Sequence, residues 1–181
     1  SGADQTVLWC LTSAPIRLFR IKVTDTSGEV TEPFLSARLG LVDPSPGLFL
    51  SSDGEVLYIA DKSWIRRVVV AGRSVGLVDD MIGSRTGILN NTGGFGSFQG
   101  GPYTVAGQPE AEFGNINDMD CTPDGGTCVV TDDYGVHKLT NCRGRPFKTT
   151  IAGKSRFETD RPGQPRGVVL ATDGTVAYVV S

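Results

Sequence analysis

The feature that most limits how this chain can fold is an internal repeat built around an Asp-Gly pair. Three nine-residue segments follow one template, and they read DGEVLYIAD at 53–61, DGGTCVVTD at 124–132 and DGTVAYVVS at 173–181. A weaker copy, DQTVLWCLT at 4–12, lacks the turn glycine but keeps the apolar run in register. The aspartates are spaced by 49, 71 and 49 residues. Such spacing is typical of folds that stack one small unit several times.

Each Asp-Gly pair lies between two short runs rich in β-branched and aromatic residues, which predicts the turn of a β-hairpin. First strands are predicted at 47–51, 117–121 and 167–171, and second strands follow each turn. Third strands are predicted at 15–21, 64–70 and 135–139, aligned at Ile16, Ile65 and Val136. Fourth strands are predicted at 29–33, 103–107 and 149–153. The sequence therefore predicts an all-β fold with four antiparallel strands per unit and no helical period.

The order of these elements resembles the NHL repeat. The shared elements are a Gly-x5-Asp-Gly start, an apolar strand ending in Asp, an Ile-Arg-Arg-like strand and a Thr-x-Ala-Gly strand, and they are clearest over 44–181. The resemblance implies a β-propeller of four-stranded antiparallel NHL-like blades, with 1–181 forming a single domain or part of one. The predicted repeat units are about 4–43, 44–114, 115–163 and 164–181.

The number of repeats leaves the predicted ring incomplete within this chain. The sequence holds about three repeat periods, whereas propellers close with about four to eight blades. We expect the missing blades to come from the remainder of a longer propeller chain, or from a second copy in a homodimer.

The longest spacing contains a glycine-rich segment, predicted to be an inserted loop over about 75–101. Long loops on a rigid scaffold often carry binding sites, so Phe95, Phe98 and Tyr103 are candidate apolar anchors for a ligand. Asn90 begins an N-glycosylation triplet, which would be used only in a secreted chain and would cover the same surface. The alternative is an insertion tolerated at the rim without a binding role.

The cysteines bear on the compartment. If residues 123–126 form the hairpin turn, Cys121 directly faces Cys128 across two strands, at a separation that a disulfide accepts. A disulfide there indicates an oxidising compartment, and hence an extracellular or cell-surface location; the alternative is a reduced pair in the cytosol. Cys10 and Cys142 lie in different repeat units, and their pairing stays open.

The inventory of reactive side chains argues against catalysis within this chain. His137 is the single histidine, so a histidine-rich metal site of the kind used by propeller lyases is excluded, and no other metal site, cofactor or catalytic set is predicted. His137 aligns with Arg17 and Arg66 at a polar position of an outer strand, which predicts a surface residue. Asp61 and Asp132, each ending a second strand, are predicted to accept backbone hydrogen bonds from the following turn.

Charge is nearly balanced, with 17 basic and 20 acidic residues. This balance argues against a nucleic-acid or anionic-membrane partner held by bulk charge, and no apolar stretch is long enough for membrane insertion. We expect a noncatalytic binding or scaffold module, secreted or at the cell surface, that recognises a protein or glycan ligand through loops at one propeller face. Two alternatives stay open: a propeller lyase or hydrolase with catalytic residues outside this chain, and an RNA-binding NHL propeller.

Overall fold

The computed structural model describes residues 6–13, 15–23, 28–30, 39–83, 113–133, 135–144, 146–153 and 165–181. Every regular element among them is a β-strand, so the all-β prediction is confirmed. No helix in this part of the chain has the length and apolar character required to cross a membrane. The chain divides into two units, residues 1–44 and 45–181, at a point next to the predicted end of the first repeat unit.

The first unit contains sheet 1, an antiparallel sheet of three strands. These strands are β1 (Thr6–Ser13), β2 (Ile16–Val23) and β3 (Gly28–Val30), and they lie in sequence order. β1 and β2 form a hairpin in register from Thr6 opposite Val23 to Ser13 opposite Ile16. Leu18 of β2 is fully buried.

The second unit contains three further antiparallel sheets, each with its strands in sequence order and none closed on itself. Sheet 2 consists of β4 (Pro44–Leu50), β5 (Val56–Asp61), β6 (Trp64–Val69) and β7 (Val78–Gly83). Sheet 3 consists of β8 (Ile116–Cys121), β9 (Thr127–Asp132), β10 (Gly135–Thr140) and β11 (Phe147–Gly153). Sheet 4 consists of β12 (Gly167–Leu170) and β13 (Ala177–Val180).

Sheets 2 and 3 repeat each other down to their backbone irregularities. The pairing of β6 with β7 shifts between Ile65 and Arg66, and the pairing of β10 with β11 shifts between Val136 and His137. These are the positions that the sequence repeat aligns. A bulge bends a strand and increases its twist, so both sheets are shaped in the same way.

The fourth strand of sheet 2 and the first part of the predicted loop differ from the sequence prediction. The fourth strand of sheet 2 is β7, which takes the place expected for residues 103–107, and those residues lie outside the described part of the chain. Because β7 occupies 78–83, these six residues of the predicted 75–101 loop form regular structure. The connection from β6 to β7 is a short turn, in which Val69 accepts a hydrogen bond from the N–H of Gly76.

The core of the second unit lies between successive sheets. Sheets 2 and 3 share one apolar cluster, which includes Tyr58, Met119 and Leu139, and sheets 3 and 4 share a smaller one around Val129 and Val168. The sheets approach closely where a side chain is missing: a Cβ added to Gly47 would lie 3.0 Å from the Cβ of Met119. Substitution of this glycine would therefore push the two sheets apart.

Candidate functional site

The turn aspartates of the repeat hold their own hairpins closed. Asp53 accepts hydrogen bonds from the hydroxyl of Ser51 at 2.5 Å and from the N–H of Glu55 at 3.1 Å. The carboxylates of Asp124 and Asp173 likewise accept the N–H of the residue two positions later. A carboxylate that accepts backbone N–H groups in this way forms an Asx turn. The repeated Asp-Gly pair is therefore a structural signature of the hairpin.

The turn of sheet 2 is tied to sheet 3 by a charged pair. The guanidinium Nη2 of Arg143 lies 2.5 Å from Oδ2 of Asp53, and its Nε donates to the carbonyl of Asp124 in the neighbouring turn. Hydrogen bonds from the Ser51 hydroxyl and from Arg143 lower the pKa of Asp53 to about 2. Both groups are partly exposed, so the pair fixes the relative position of the turns more than it adds stability.

A buried tyrosine of sheet 2 makes a second link to the turn of sheet 3. Tyr58 of β5 is fully buried, and its hydroxyl donates to the carbonyl of Gly125 at 3.2 Å. Burial raises the pKa of Tyr58 to about 12, so it stays a hydrogen-bond donor. Gly125 has a φ of +68°, and a Cβ there would lie 2.9 Å from the Tyr58 ring. The glycine is required both by the turn and by the approach of the tyrosine.

Arg67 of β6 joins sheet 2 to the loop that follows β10. Its Nε and Nη2 donate to the two carboxylate oxygens of Asp79, at 3.0 and 2.6 Å. Its Nη1 donates to the carbonyls of Cys142 and Arg143, at 3.1 and 2.8 Å. The hydrogen bonds with Asp79 raise the pKa of Arg67. A lysine could not reproduce this planar arrangement of donors, so the position depends on arginine.

Two aspartates of β8 attach sheet 3 to sheet 4. Oδ2 of Asp118 accepts the N–H of Val168 at 3.0 Å, and Oδ2 of Asp120 accepts the N–H of Leu170 at 2.7 Å. Asp118 and Asp120 are two residues apart on a strand, so they point to the same face and meet alternate N–H groups of β12. β8 and β12 are not paired by backbone hydrogen bonds, and the two carboxylates link these strands instead.

The same carboxylates cover the free edge of β8. Their Oδ1 atoms accept the N–H of the next residue, Met119 or Cys121, at 2.9 Å. Thr122 donates its N–H to the carbonyl of Thr127 across the hairpin. Because hydrogen-bonded and non-bonded pairs alternate in an antiparallel ladder, the N–H of Cys121 points away from β9. Each aspartate therefore supplies an acceptor to two strand edges at once.

Asp132 and His137 form a buried pair at the end of sheet 3. Their side chains are 1 % and 2 % exposed, and Nε2 of His137 lies 3.0 Å from Oδ1 of Asp132. Asp132 also accepts the N–H of Gly135 at 2.9 Å and that of Gly114 at 2.8 Å. The expected acceptance from the following turn is thus confirmed for Asp132. The surface position expected for His137 was wrong, because the repeat places a buried polar side chain there.

The electrostatics of this pair favour a structural role. Desolvation lowers the pKa of His137, while the carboxylate of Asp132 opposes that shift and Lys148 adds to it. The imidazole packs edge-on against Phe113 at 5.7 Å between ring centroids, and the Lys148 ammonium lies 4.5 Å above the same ring. The neutral imidazole is sealed from solvent, so the pair holds residues 113–114 against the turn after β9 instead of meeting a substrate.

The aligned position in sheet 2 is filled by an arginine in a comparable environment. Arg66 is 2 % exposed and lies 4.1 Å above the ring of Trp64. Both sheets therefore place a polar side chain next to the bulge and beside an aromatic ring, and for Arg66, which lies over the face of Trp64, this arrangement favours the positive charge. Arg66 and His137 occupy equivalent positions, as the sequence alignment predicted, but the predicted surface exposure of this position was wrong in sheet 3, and the equivalent Arg66 is buried as well.

The cysteines divide into a pair and two single thiols. Cys121 and Cys128 are cross-strand partners in β8 and β9, and their Sγ atoms lie at disulfide-bonding distance, 1.99 Å. Cys10 is exposed and Cys142 is buried, and neither is disulfide-bonded. Burial raises the pKa of Cys142 to about 12, which suppresses its thiolate form.

The predicted ligand-binding and glycosylation residues are not among the described residues. Phe95, Phe98, Tyr103 and Asn90 all fall within residues 84–112, outside the described part of the chain. The described residues contain no group of three or more His, Cys, Asp or Glu side chains placed to hold a metal ion.

The sequence analysis did not predict the links between sheets, although one of them has a visible signal in the sequence. Asp118 and Asp120 place two charges on one face of a first strand that is apolar in the other repeats, which marks them as partners of something polar. Arg67 and Asp79 carried a weaker signal, because their pairing follows only once β7 is known to lie beside β6.

Comparison with solved structures finds several similar chains. No family model matches the sequence, and no curated protein matches it. One of the similar structures is a functionally unknown protein from Desulfotomaculum acetoxidans DSM 771, with 13% sequence identity and a TM-score of 0.43. The alignment covers 100% of this chain and 64% of the neighbour, so this chain spans less than two thirds of that protein's length.

Proposed function

We propose that the four sheets are successive blades of an NHL-type β-propeller and that the chain is a noncatalytic binding or scaffold module. Sequence-ordered antiparallel sheets, Asp-Gly hairpins and matched bulges in sheets 2 and 3 support the propeller. Sheet 4 is attached to the preceding sheet through its first strand, β12.

The observation that carries the proposal is the use of charged side chains as braces between sheets. Arg67 and Arg143 bind across sheets 2 and 3, while Asp118 and Asp120 bind across sheets 3 and 4. The histidine is buried against Asp132. Because these charged side chains hold the sheets together, they favour a rigid stack whose loops can vary in sequence. Scaffold proteins present their binding sites on such loops.

The proposed location is outside the cell or at its surface, and the proposed ligand is a protein or glycan. The cross-strand cysteine pair at disulfide-bonding distance supports an oxidising compartment. The proposed contact is through propeller-face loops, with Phe95, Phe98 and Tyr103 as its apolar anchors.

The test is a binding screen of protein made in an oxidising compartment, against a glycan array and an array of purified extracellular protein domains. We expect saturable binding that falls at least about tenfold when Phe95, Phe98 and Tyr103 are all replaced by serine, since buried aromatic anchors dominate binding energy. The control variant replaces two exposed apolar residues outside that loop tip, Val75→Ser with Leu77→Ser, and should bind normally. Binding confined to RNA, falling steeply with salt, would instead support the RNA-binding alternative.

A further inference from the structure

Sheet 4 has one covered face and one open apolar face. Val168, Leu170 and Ala177 pack against sheet 3. Val169 and Tyr178 are cross-strand partners and therefore share the other face, together with Val180. These three side chains are 63 %, 68 % and 68 % exposed. We call this set the β12–β13 face; clustered apolar side chains at such exposure mark an interaction surface.

The repeat shows what normally covers this face. Tyr178 occupies the position of Tyr58, since each lies five residues after its turn aspartate. Tyr58 is 0 % exposed because sheet 3 packs over it, with its hydroxyl bonded to Gly125. The β12–β13 face thus has the side chains of a surface that receives another sheet of the same kind.

Among the described residues, sheets 2 and 3 have no free apolar face. In sheet 2, Tyr58 and Ala60 are buried on one side, while Leu57 and Ile59 are fully buried on the other. Sheet 3 contributes its two faces to the two apolar clusters already described. A second copy could not use either sheet without first uncovering its core.

Sheet 1 does carry an apolar face with exposed members. Leu8 is opposite Ile21 and Cys10 is opposite Phe19, so the four side chains lie on one side of the β1–β2 hairpin. Leu8 is 50 % exposed, Cys10 is exposed, and the other two are half-buried. We call this set the β1–β2 face.

We propose that the β12–β13 face of one copy packs against the β1–β2 face of a second copy. Each copy then supplies one of two different surfaces, so the contact is head-to-tail. Such contacts either close into a ring of copies or continue as a chain, depending on the rotation between neighbours. The proposal concerns self-association and is independent of the ligand proposed above.

The first test is the mass of the oxidised chain in solution, measured by light scattering over a concentration series. The mass should rise to twice that of one chain or more. Tyr178→Ser with Val180→Ser should weaken association at least about tenfold, because apolar burial drives most association. Val75→Ser with Leu77→Ser is the matched control, since it removes apolar side chains of similar exposure outside both faces.

The second test uses the exposed thiol of Cys10. Val180→Cys should form an intermolecular disulfide with Cys10 under mild oxidation, visible as a covalent dimer on a non-reducing gel. Val75→Cys should not, and adding Cys10→Ser to Val180→Cys should abolish the dimer. A monomer at every concentration, a cross-link within one chain, or self-association insensitive to Tyr178 and Val180 would each overturn the proposal. Ligand binding by such a monomer would leave the proposed function intact.

Discussion

At the scale of single residues, the structure assigns His137 to the interior. Its ring is enclosed by Asp132, Phe113 and Lys148, and desolvation is the main cause of its lowered pKa. A histidine with a lowered pKa in the folded state takes up its proton more readily when the chain unfolds. Its contribution to stability is therefore complete above the unfolded pKa of about 6.5 and is lost as the pH falls towards the folded value.

This direction of the pH dependence leads to a prediction for His137→Gln. Between pH 7 and 5 the free energy of unfolding of the wild type should fall as the pH is lowered, by at most about 1.4 kcal/mol per pH unit from this group. The variant lacks the titrating ring, so its stability should depend less on pH over that window, whatever its absolute stability. Urea unfolding at half-unit pH intervals measures both slopes. Parallel curves would show that His137 does not titrate differently in the two states.

At the same scale, sequence reasoning identified residue positions better than residue environments. The template correctly aligned His137 of sheet 3 with Arg66 of sheet 2, and it paired Cys121 with Cys128. It did not show that position 137 is buried, because a polar residue on an outer strand was expected to face solvent, whereas His137 lies on the same face of β10 as the buried Leu139. Burial of a polar side chain also needs a specific partner, and Asp132 becomes that partner only after β9 and β10 pair.

At the scale of elements, the hairpins were predictable and the outer strand of sheet 2 was not. Asp-Gly turns between apolar runs are a local signal, and they located β4–β5, β8–β9 and β12–β13. The fourth strand depends on which later segment reaches the edge of β6. A Thr-x-Ala-Gly match favoured 103–107, whereas β7 is nearer in sequence and pairs Asp79 with Arg67.

The attachment of β12 to β8 gives a prediction at this scale. Replacing both Asp118 and Asp120 by alanine removes the acceptors for the N–H groups of Val168 and Leu170. These amides should exchange with solvent at least about tenfold faster, since a lost hydrogen bond to a charged group costs about 1.5–3 kcal/mol. The amide of Val130, inside sheet 3, should keep its exchange rate. Native-state hydrogen exchange followed by NMR resolves the individual amides.

A control is needed because the double variant also removes two negative charges. Glu29→Ala removes an exposed carboxylate from β3 and should leave the Val168 and Leu170 amides unchanged. If their exchange is equally slow in the double variant, the apolar contacts around Val129 alone hold sheet 4 in place. Uniformly faster exchange throughout sheet 3 would instead indicate that the aspartates stabilise β8 itself.

At the scale of the whole molecule, the thiols report whether the chain has folded as described. Cys10 is exposed, Cys142 is buried with its pKa raised to about 12, and Cys121 is paired with Cys128. Thiol reagents react with the accessible thiolate, so burial and the raised pKa both protect Cys142. At a concentration low enough to keep the chain monomeric, oxidised native protein at pH 8 should therefore expose one reactive thiol, urea should raise the count to two, and reduction in urea should raise it to four.

Each step of this count tests a different part of the structure, and mass spectrometry of the labelled peptides assigns the sites. Labelling of Cys142 before unfolding would mean that the cluster between sheets 2 and 3 opens in the native state. Four reactive thiols without reductant would show that Cys121 and Cys128 are not disulfide-bonded, and the main support for an oxidising compartment would be lost.

Loss of that disulfide by Cys121→Ala with Cys128→Ala should lower the free energy of unfolding by about 2–3 kcal/mol, because the bond closes a short loop in the unfolded chain. A variant as stable as the wild type would show that the β8–β9 hairpin is held by its turn and ladder alone.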